Sequence, residues 1–217
     1  MVRPGAGLNP RLACFDLDNT LIDRDRAFLE WARWWVGRAG LGADAVEWLV
    51  AEDNGGFRAR QELFAAFEKR FGMHIAVGEY DREHPLFTSV DREVLDGLAA
   101  LRSAGWRVAV VTNGTVVQQT GKLTHTGIAD AVDYCCISEA VGVRKPDAAI
   151  FRHAAETTGA TLDGGWMVGD HPAYDIAGGL NAGLRTIRIG SRHPDGPAVA
   201  DHHLDSVVEA FGVILTS

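Results

Sequence analysis

Four short polar clusters stand out against their apolar surroundings. Asp16, Asp18 and Thr20 follow the run Leu12-Ala13-Cys14-Phe15 at once. Thr112 and Asn113 end the run Trp106 to Val111, and Asp170 and Asp175 follow Gly165 to Val168. Lys145 stands just ahead of Pro146, where a further helix is expected to start. Short apolar runs that stop abruptly read as buried strands. If those strands are parallel, their carboxyl ends share one edge, which is where ligands bind in such sheets. That edge then gathers several carboxylates, a hydroxyl and one ammonium group. Crowded carboxylates repel one another unless a cation shares the site. An all-oxygen donor set suits a hard cation, and Mg2+ is the expected one. A carboxylate nucleophile, a second carboxylate for proton transfer, a metal ion and a lysine together suit phosphoryl transfer through an aspartyl-phosphate. An incoming phosphate dianion repels Asp16, and Mg2+ and Lys145 would cancel that repulsion. Asp18 is placed to protonate the departing oxygen, a contribution of typically about 10²–10⁴-fold.

The elements that must position these groups alternate along the chain. The periodicity predicts a helix from Val90 to Leu101, capped at Thr88 or Ser89 and stopped by Gly105. A strand follows from Trp106 to Val111, then a helix from Val116 to about His125 and a strand from Tyr134 to Ile137. Pro146 suits the first turn of the next helix. A strand at 165–168, a helix over 175–182, a strand from Arg185 to Ile189 and a helical tail from Ser206 complete the reading. Such alternation implies a parallel sheet with helices on both faces. One stretch departs from it. Between residues 24 and 87 the apolar positions (Phe28, Trp31, Trp35, Val36, then Leu63, Phe64, Phe67, Phe71) recur at helical spacing only. The expected architecture is therefore an α/β, Rossmann-like core of residues 1–23 and 88–217, with an all-helical insertion of residues 24–87 after the first strand.

Composition excludes several classes. The 217 residues carry 21 Lys and Arg against 29 Asp and Glu, a net charge of −8. This acidic balance lacks the footprint of a nucleic-acid binder or of a protein that docks on anionic membranes. No apolar run approaches the roughly 20 residues of a membrane span, and Met1 to Arg11 does not read as a signal peptide. A soluble, cytoplasmic chain is expected. Cys14, Cys135 and Cys136 do not form a disulfide framework and read as buried reduced thiols. His202-His203 reads as surface. Gly40 to Ala45 spells GxGxxA, but no strand precedes it, so dinucleotide binding is rejected. Asn113-Gly114-Thr115 is a glycosylation sequon by letters only, since it falls in the candidate site.

In order along the chain, Phe15-Asp16-Leu17-Asp18-Asn19-Thr20-Leu21, Val110-Val111-Thr112-Asn113-Gly114, Arg144-Lys145-Pro146-Asp147 and Gly169-Asp170-His171-Pro172-Ala173-Tyr174-Asp175 resemble the four signature motifs of the haloacid dehalogenase-like hydrolases. The resemblance covers nearly the whole chain. It implies that Asp16 is the nucleophile and a metal ligand, and that Asp18 is the acid and base with its backbone carbonyl on the metal. It implies further that Thr20 braces the loop, that Thr112, Asn113 and Lys145 hold the phosphoryl oxygens, and that Asp170 and Asp175 complete a Mg2+ site. The 24–87 insertion sits where the family carries its helical C1-type cap. Thr112-Asn113-Gly114 followed by Gln118 and Lys122, with Ser138-Glu139 before the lysine motif, is similar to the acylneuraminate-phosphate and nucleotide phosphatases.

The activity this implies is Mg2+-dependent hydrolysis of a small phosphorylated metabolite. Other readings remain beside it. A phosphomutase uses the same nucleophile and acid/base pair. A dehalogenase needs neither an acid two residues after its nucleophile nor a metal. A phosphonate hydrolase needs a cap lysine, for which only Lys69 is available. A non-catalytic module would bind phosphate and Mg2+ without turnover. In the cap, the tryptophans read as packing, and Arg58 and Arg60 are candidate contacts to an acidic substrate.

Overall fold

The computed structural model describes residues 9–194, 196 and 198–217. Residues 1–8, assigned above to the core, lie outside the described residues. The chain opens with β1 (Arg11–Phe15). A helical stretch follows: α1 (Arg24–Arg38), α2 (Ala43–Asp53), α3 (Arg60–Phe71) and α4 (Val77–Glu83). Then come α5 (Arg92–Ser103), β2 (Arg107–Thr112), α6 (Val116–Thr126), α7 (Ile128–Ala131), β3 (Tyr134–Ile137), α8 (Ser138–Val141) and α9 (Ala148–Thr158). The chain ends with β4 (Thr161–Gly169), α10 (Gly178–Asn181), β5 (Arg185–Ile189), β6 (His202–Leu204) and α11 (Val207–Leu215).

The strands form one sheet in the order β3-β2-β1-β4-β5-β6, and every pairing is parallel. From β1 the chain builds outward to β2 and β3, then crosses to β4 on the other side of β1. The carboxyl ends of β1 and β4 therefore flank the point where the direction of winding reverses, the crevice that binds ligands in such sheets. Each central strand is apolar on both faces because helices cover both. Ala13 and Phe15 join Val108, Val110, Trp166 and Val168 in the layer under α5 and α11. Leu12 and Cys14 join Ala109, Val111 and Met167 in the layer under α9.

The helices α1 to α4 bury a third apolar cluster of their own, around Phe28, Trp31, Leu49, Leu63, Phe64, Phe67 and Tyr80. Trp31 meets Tyr80 edge to face at 4.7 Å. The cap tryptophans pack in or against this cluster, as expected of packing residues.

Several local expectations are corrected. The cap of α5 is Asp91 rather than Thr88 or Ser89. Asp147, not Pro146, opens α9, its carboxylate accepting a hydrogen bond from the Ala149 N–H. The helix expected over 175–182 is a wide π-turn, Pro172–Ala177, continued by α10. His203 is exposed and His202 half-buried, as a surface pair should be, within β6, an edge strand of three residues paired to β5. The three cysteines are free thiols, as anticipated. Burial pushes Cys135 and Cys136 up to about 11 and Cys14 higher still, so they stay protonated and unreactive. Among the described residues no helix is long and apolar enough to cross a membrane.

Candidate active site

Asp16 is the first residue beyond β1, and its backbone N–H donates to the Val168 carbonyl of β4 at 2.9 Å. The sheet thus fixes its main chain while its carboxylate leaves the carboxyl edge. The loop behind it turns tightly. Asn19 takes a positive φ of 61°, and the N–H groups of Leu21 and Ile22 return to the Leu17 carbonyl. Thr20 is buried, but its hydroxyl has no hydrogen-bond partner. Backbone bonds, rather than the Thr20 side chain, brace this loop.

Asp170 follows β4 in the same way. Asp175 lies in the π-turn and folds back toward the strand, where its Oδ2 accepts the His171 N–H at 2.9 Å. That fold-back requires Gly169, because a Cβ there would sit 2.3 Å from the Asp175 carboxyl carbon. Asp16, Asp170 and Asp175 are buried and each presents an oxygen within 4.8 Å of the others. Lys145 reaches between two of them. Its Nζ donates to Asp16 Oδ1 and to Asp175 Oδ1, each at 2.6 Å.

The charges do not balance, since three carboxylates face one ammonium group. Burial, with Asp175 alongside, pushes Asp16 up to about 7 despite Lys145. Burial and the charges of Asp16 and Asp175 push Asp170 up to about 8. Burial alone would lower Lys145, but Asp16 and Asp175 more than reverse this and hold it charged. A divalent cation among the three carboxylates would relieve the repulsion and let all of them ionise. The oxygen-only donor set and the close spacing fit such an ion.

Asp18 points elsewhere, into a cluster on α6. Lys122 Nζ donates to both of its oxygens at 2.8 Å, and Gln119 Nε2 donates to Oδ2 at 3.0 Å. Burial would raise Asp18, but Lys122 and Gln119 outweigh it and hold the carboxyl below the usual range. Gln119 also donates to Thr112 Oγ1 at 2.6 Å. Thr112 is thereby left with its own proton to offer. Asn113, expected at the phosphoryl oxygens, has another task. Its side chain accepts the Lys145 N–H at 2.9 Å and donates to the Lys145 carbonyl at 3.0 Å, pinning the lysine's backbone.

The cavity above this edge measures about 560 Å3 and is roofed by the helical cap. Arg58 and Arg60 line it, but neither is an idle cation. Arg58 pairs with Glu52, and Arg60 shares the buried Asp53 with Arg24. Lys69 is exposed and outside the lining. At one side of the mouth, Phe57 of the cap meets the rings of His171, Tyr174 and His193 of the core at 5.4, 6.1 and 5.8 Å. His193 Nε2 also lies 3.3 Å from Asp170. Burial and Arg192 depress its pKa, so this is a neutral ring beside a carboxyl group. Gln119, Arg24, Phe57 and His193 were not singled out from the sequence. Gln119 alone left a signal there, three residues before Lys122 on the same helix face.

Comparison with known proteins agrees with this geometry. The family described as haloacid dehalogenase-like hydrolase matches residues 10–183. The pyrimidine 5′-nucleotidase YjjG of Escherichia coli is 32% identical over 199 residues, covering 84% of this chain and 87% of that one. A plasmid-encoded phosphoglycolate phosphatase of Cupriavidus necator is 36% identical, covering 93% and 91%. The HAD-hydrolase YfnB of Bacillus subtilis, solved bound to magnesium, superimposes with a TM-score of 0.73 at 20% identity, covering 95% and 99%. The ordered motifs, the winding of the sheet and the helical insertion after β1 have one common explanation: the chain belongs to the haloacid dehalogenase-like hydrolases.

Proposed function

We propose that the protein hydrolyses a small phosphate monoester, with the phosphoryl group carried transiently on Asp16. The observation that carries this reading is the set Asp16, Asp170, Asp175 and Lys145 at the cavity floor, with Asp18 two residues beyond the nucleophile. The three carboxylates would hold Mg2+, with the Asp18 backbone carbonyl as a further ligand. The ion supplies charge neutralisation for the phosphoryl oxygens when bound. Lys145, with one N–H left after Asp16 and Asp175, and Thr112, with its hydroxyl proton free, hold those oxygens. Asp16 then attacks phosphorus while Asp18 gives a proton to the departing oxygen. Asp18 is ionised at rest, and a neighbouring phosphate dianion favours its taking up a proton from solvent, the proton it then passes on. In the second half-reaction the same carboxylate takes a proton from the attacking water.

Two features favour this over the family's other chemistries. Dehalogenation needs no acid at the Asp18 position and no metal, whereas this chain spends two α6 side chains on holding Asp18. Relatives of comparable similarity are named for a pyrimidine nucleotide and for phosphoglycolate, so the family resemblance points to small phosphorylated metabolites as a class. The nucleotidase match keeps company with the Thr112-Asn113-Gly114, Gln118 and Lys122 pattern noted above.

The test is phosphate release from a panel of sugar phosphates, nucleotides, phosphorylated acids and p-nitrophenyl phosphate. Chelator is expected to lower the rate on the order of 10²-fold or more, with recovery on adding Mg2+. Release that is indifferent to chelator, or absent from the whole panel, would overturn the reading.

A further inference from the structure

The grip on Asp18 is more elaborate than the reaction alone demands. Gln119 and Lys122 lie three residues apart on α6, so their side chains share one face of the helix. Both are buried, at 1% and 5% exposure. Lysine is almost never fully buried unless its charge is paired. Its ammonium group here has both Asp18 oxygens as partners, 104 residues away in sequence. Gln119 is fixed as well. Its amide bridges Asp18 and Thr112, and its stem lies over the backbone of Gly114, where a Cβ would sit 2.8 Å from Gln119 Cγ. An aspartate at the tip of a loop is otherwise free to turn about two side-chain bonds. Three hydrogen bonds from two buried donors remove that freedom.

We propose that Lys122 and Gln119 are positioning residues that aim the Asp18 carboxyl at the oxygen of the departing group. This rests on the phosphatase reading above. The step they serve is balanced within the site. The Asp16 carboxylate forms a bond to phosphorus, the bond from phosphorus to the alcohol oxygen breaks, and the Asp18 proton moves to that oxygen. An alcohol, an aspartyl-phosphate dianion and an Asp18 carboxylate result. Through Gln119 the same network sets the distance between Asp18 and Thr112. The proton donor and the phosphoryl cradle therefore move as one piece.

This assigns Lys122 an effect that depends on the leaving group. An alkoxide departs poorly without a proton, whereas a nitrophenolate departs without one. The quantity to read is kcat/KM, which covers the steps up to loss of the alcohol. For Lys122→Met, kcat/KM is expected to fall on the order of 10²-fold with alkyl phosphates and less than about tenfold with p-nitrophenyl phosphate. Lys122→Arg should recover most of the alkyl loss. If Lys122→Met does not fold, as judged by circular dichroism, Gln119→Met carries the test with the same ordering, about tenfold against near unity. An equal loss across all leaving groups, or no loss with any, would overturn the positioning role. Parent protein that releases no phosphate from any ester would instead overturn the phosphatase reading and this proposal with it.

Discussion

Asp16→Asn is expected to stop turnover while leaving the protein folded. Loss of a covalent nucleophile lowers kcat on the order of 10⁴–10⁶-fold where residues act as a unit. The amide has nearly the same shape and can still accept from Lys145. It cannot attack phosphorus. The stability expectation runs the other way. Burial and Asp175 push Asp16 up to about 7, above its value in an unfolded chain. Such a group contributes stability below its unfolded pKa and loses it as pH rises through the folded one, here from about 4 to about 7. At neutral pH without metal, the ionised Asp16 is therefore a burden on the fold. The asparagine variant should melt no lower than the parent in chelator, and Mg2+ should stabilise it less. Measurable turnover above about 1% of the parent rate would contradict the nucleophile assignment.

Asp53→Ala is expected to destabilise the cap strongly. Asp53 is the common partner of two arginines. Arg24 Nη2 donates to its Oδ1 at 2.8 Å while Nη1 donates to Oδ2, and Arg60 Nη1 donates to Oδ1 at 2.6 Å. The three residues tie the start of α1, the end of α2 and the start of α3. Both guanidinium groups lie over the Phe28 ring, at 4.8 and 5.4 Å. Burial would raise Asp53, but Arg24 and Arg60 outweigh it and hold it ionised. Alanine leaves Arg60 unpaired and Arg24 with only Asp25 at 3.4 Å, and breaking a buried pair in this way costs about 3–5 kcal/mol. Urea unfolding followed by tryptophan fluorescence is a direct measure, since Trp31, Trp34, Trp35 and Trp48 all belong to the cap. A loss below about 1 kcal/mol would place the trio among weak surface pairs instead.

The parallel sheet could be read from the sequence because β1 and the buried second half of β4 are apolar runs that end in a polar group, while the polar start of β4, Thr161 to Gly164, left no such signal. Phe15 to Asp16 and Gly169 to Asp170 are such boundaries, and they set the site's edge. The helical insertion was equally plain, since Phe28, Trp31, Leu63 and Phe67 repeat at helical spacing. The edge strand His202–Leu204 was not readable. Three residues, two of them histidine, carry no alternation, and only pairing with β5 makes them a strand. The partners of the site residues were hidden for a different reason. Lys122 meets Asp18 because α6 lies against the loop after β1, and Arg24 meets Asp53 because α1 packs on α2, so nothing local to either member announces the other. Asn113 shows the same limit. Its position beside Thr112 suggested phosphate, while its actual partner is the backbone of Lys145 across the sheet edge.

Turnover by this route passes through a phosphoryl group held covalently on Asp16. The most direct measurement is acid quenching of the protein during turnover of a good substrate in Mg2+, followed by peptide mass spectrometry. A phosphoryl adduct is expected on the peptide bearing Asp16, stable in acid, discharged by hydroxylamine and absent from Asp16→Asn. Steady phosphate release with no adduct at any quench time, or an adduct on another residue, would contradict it.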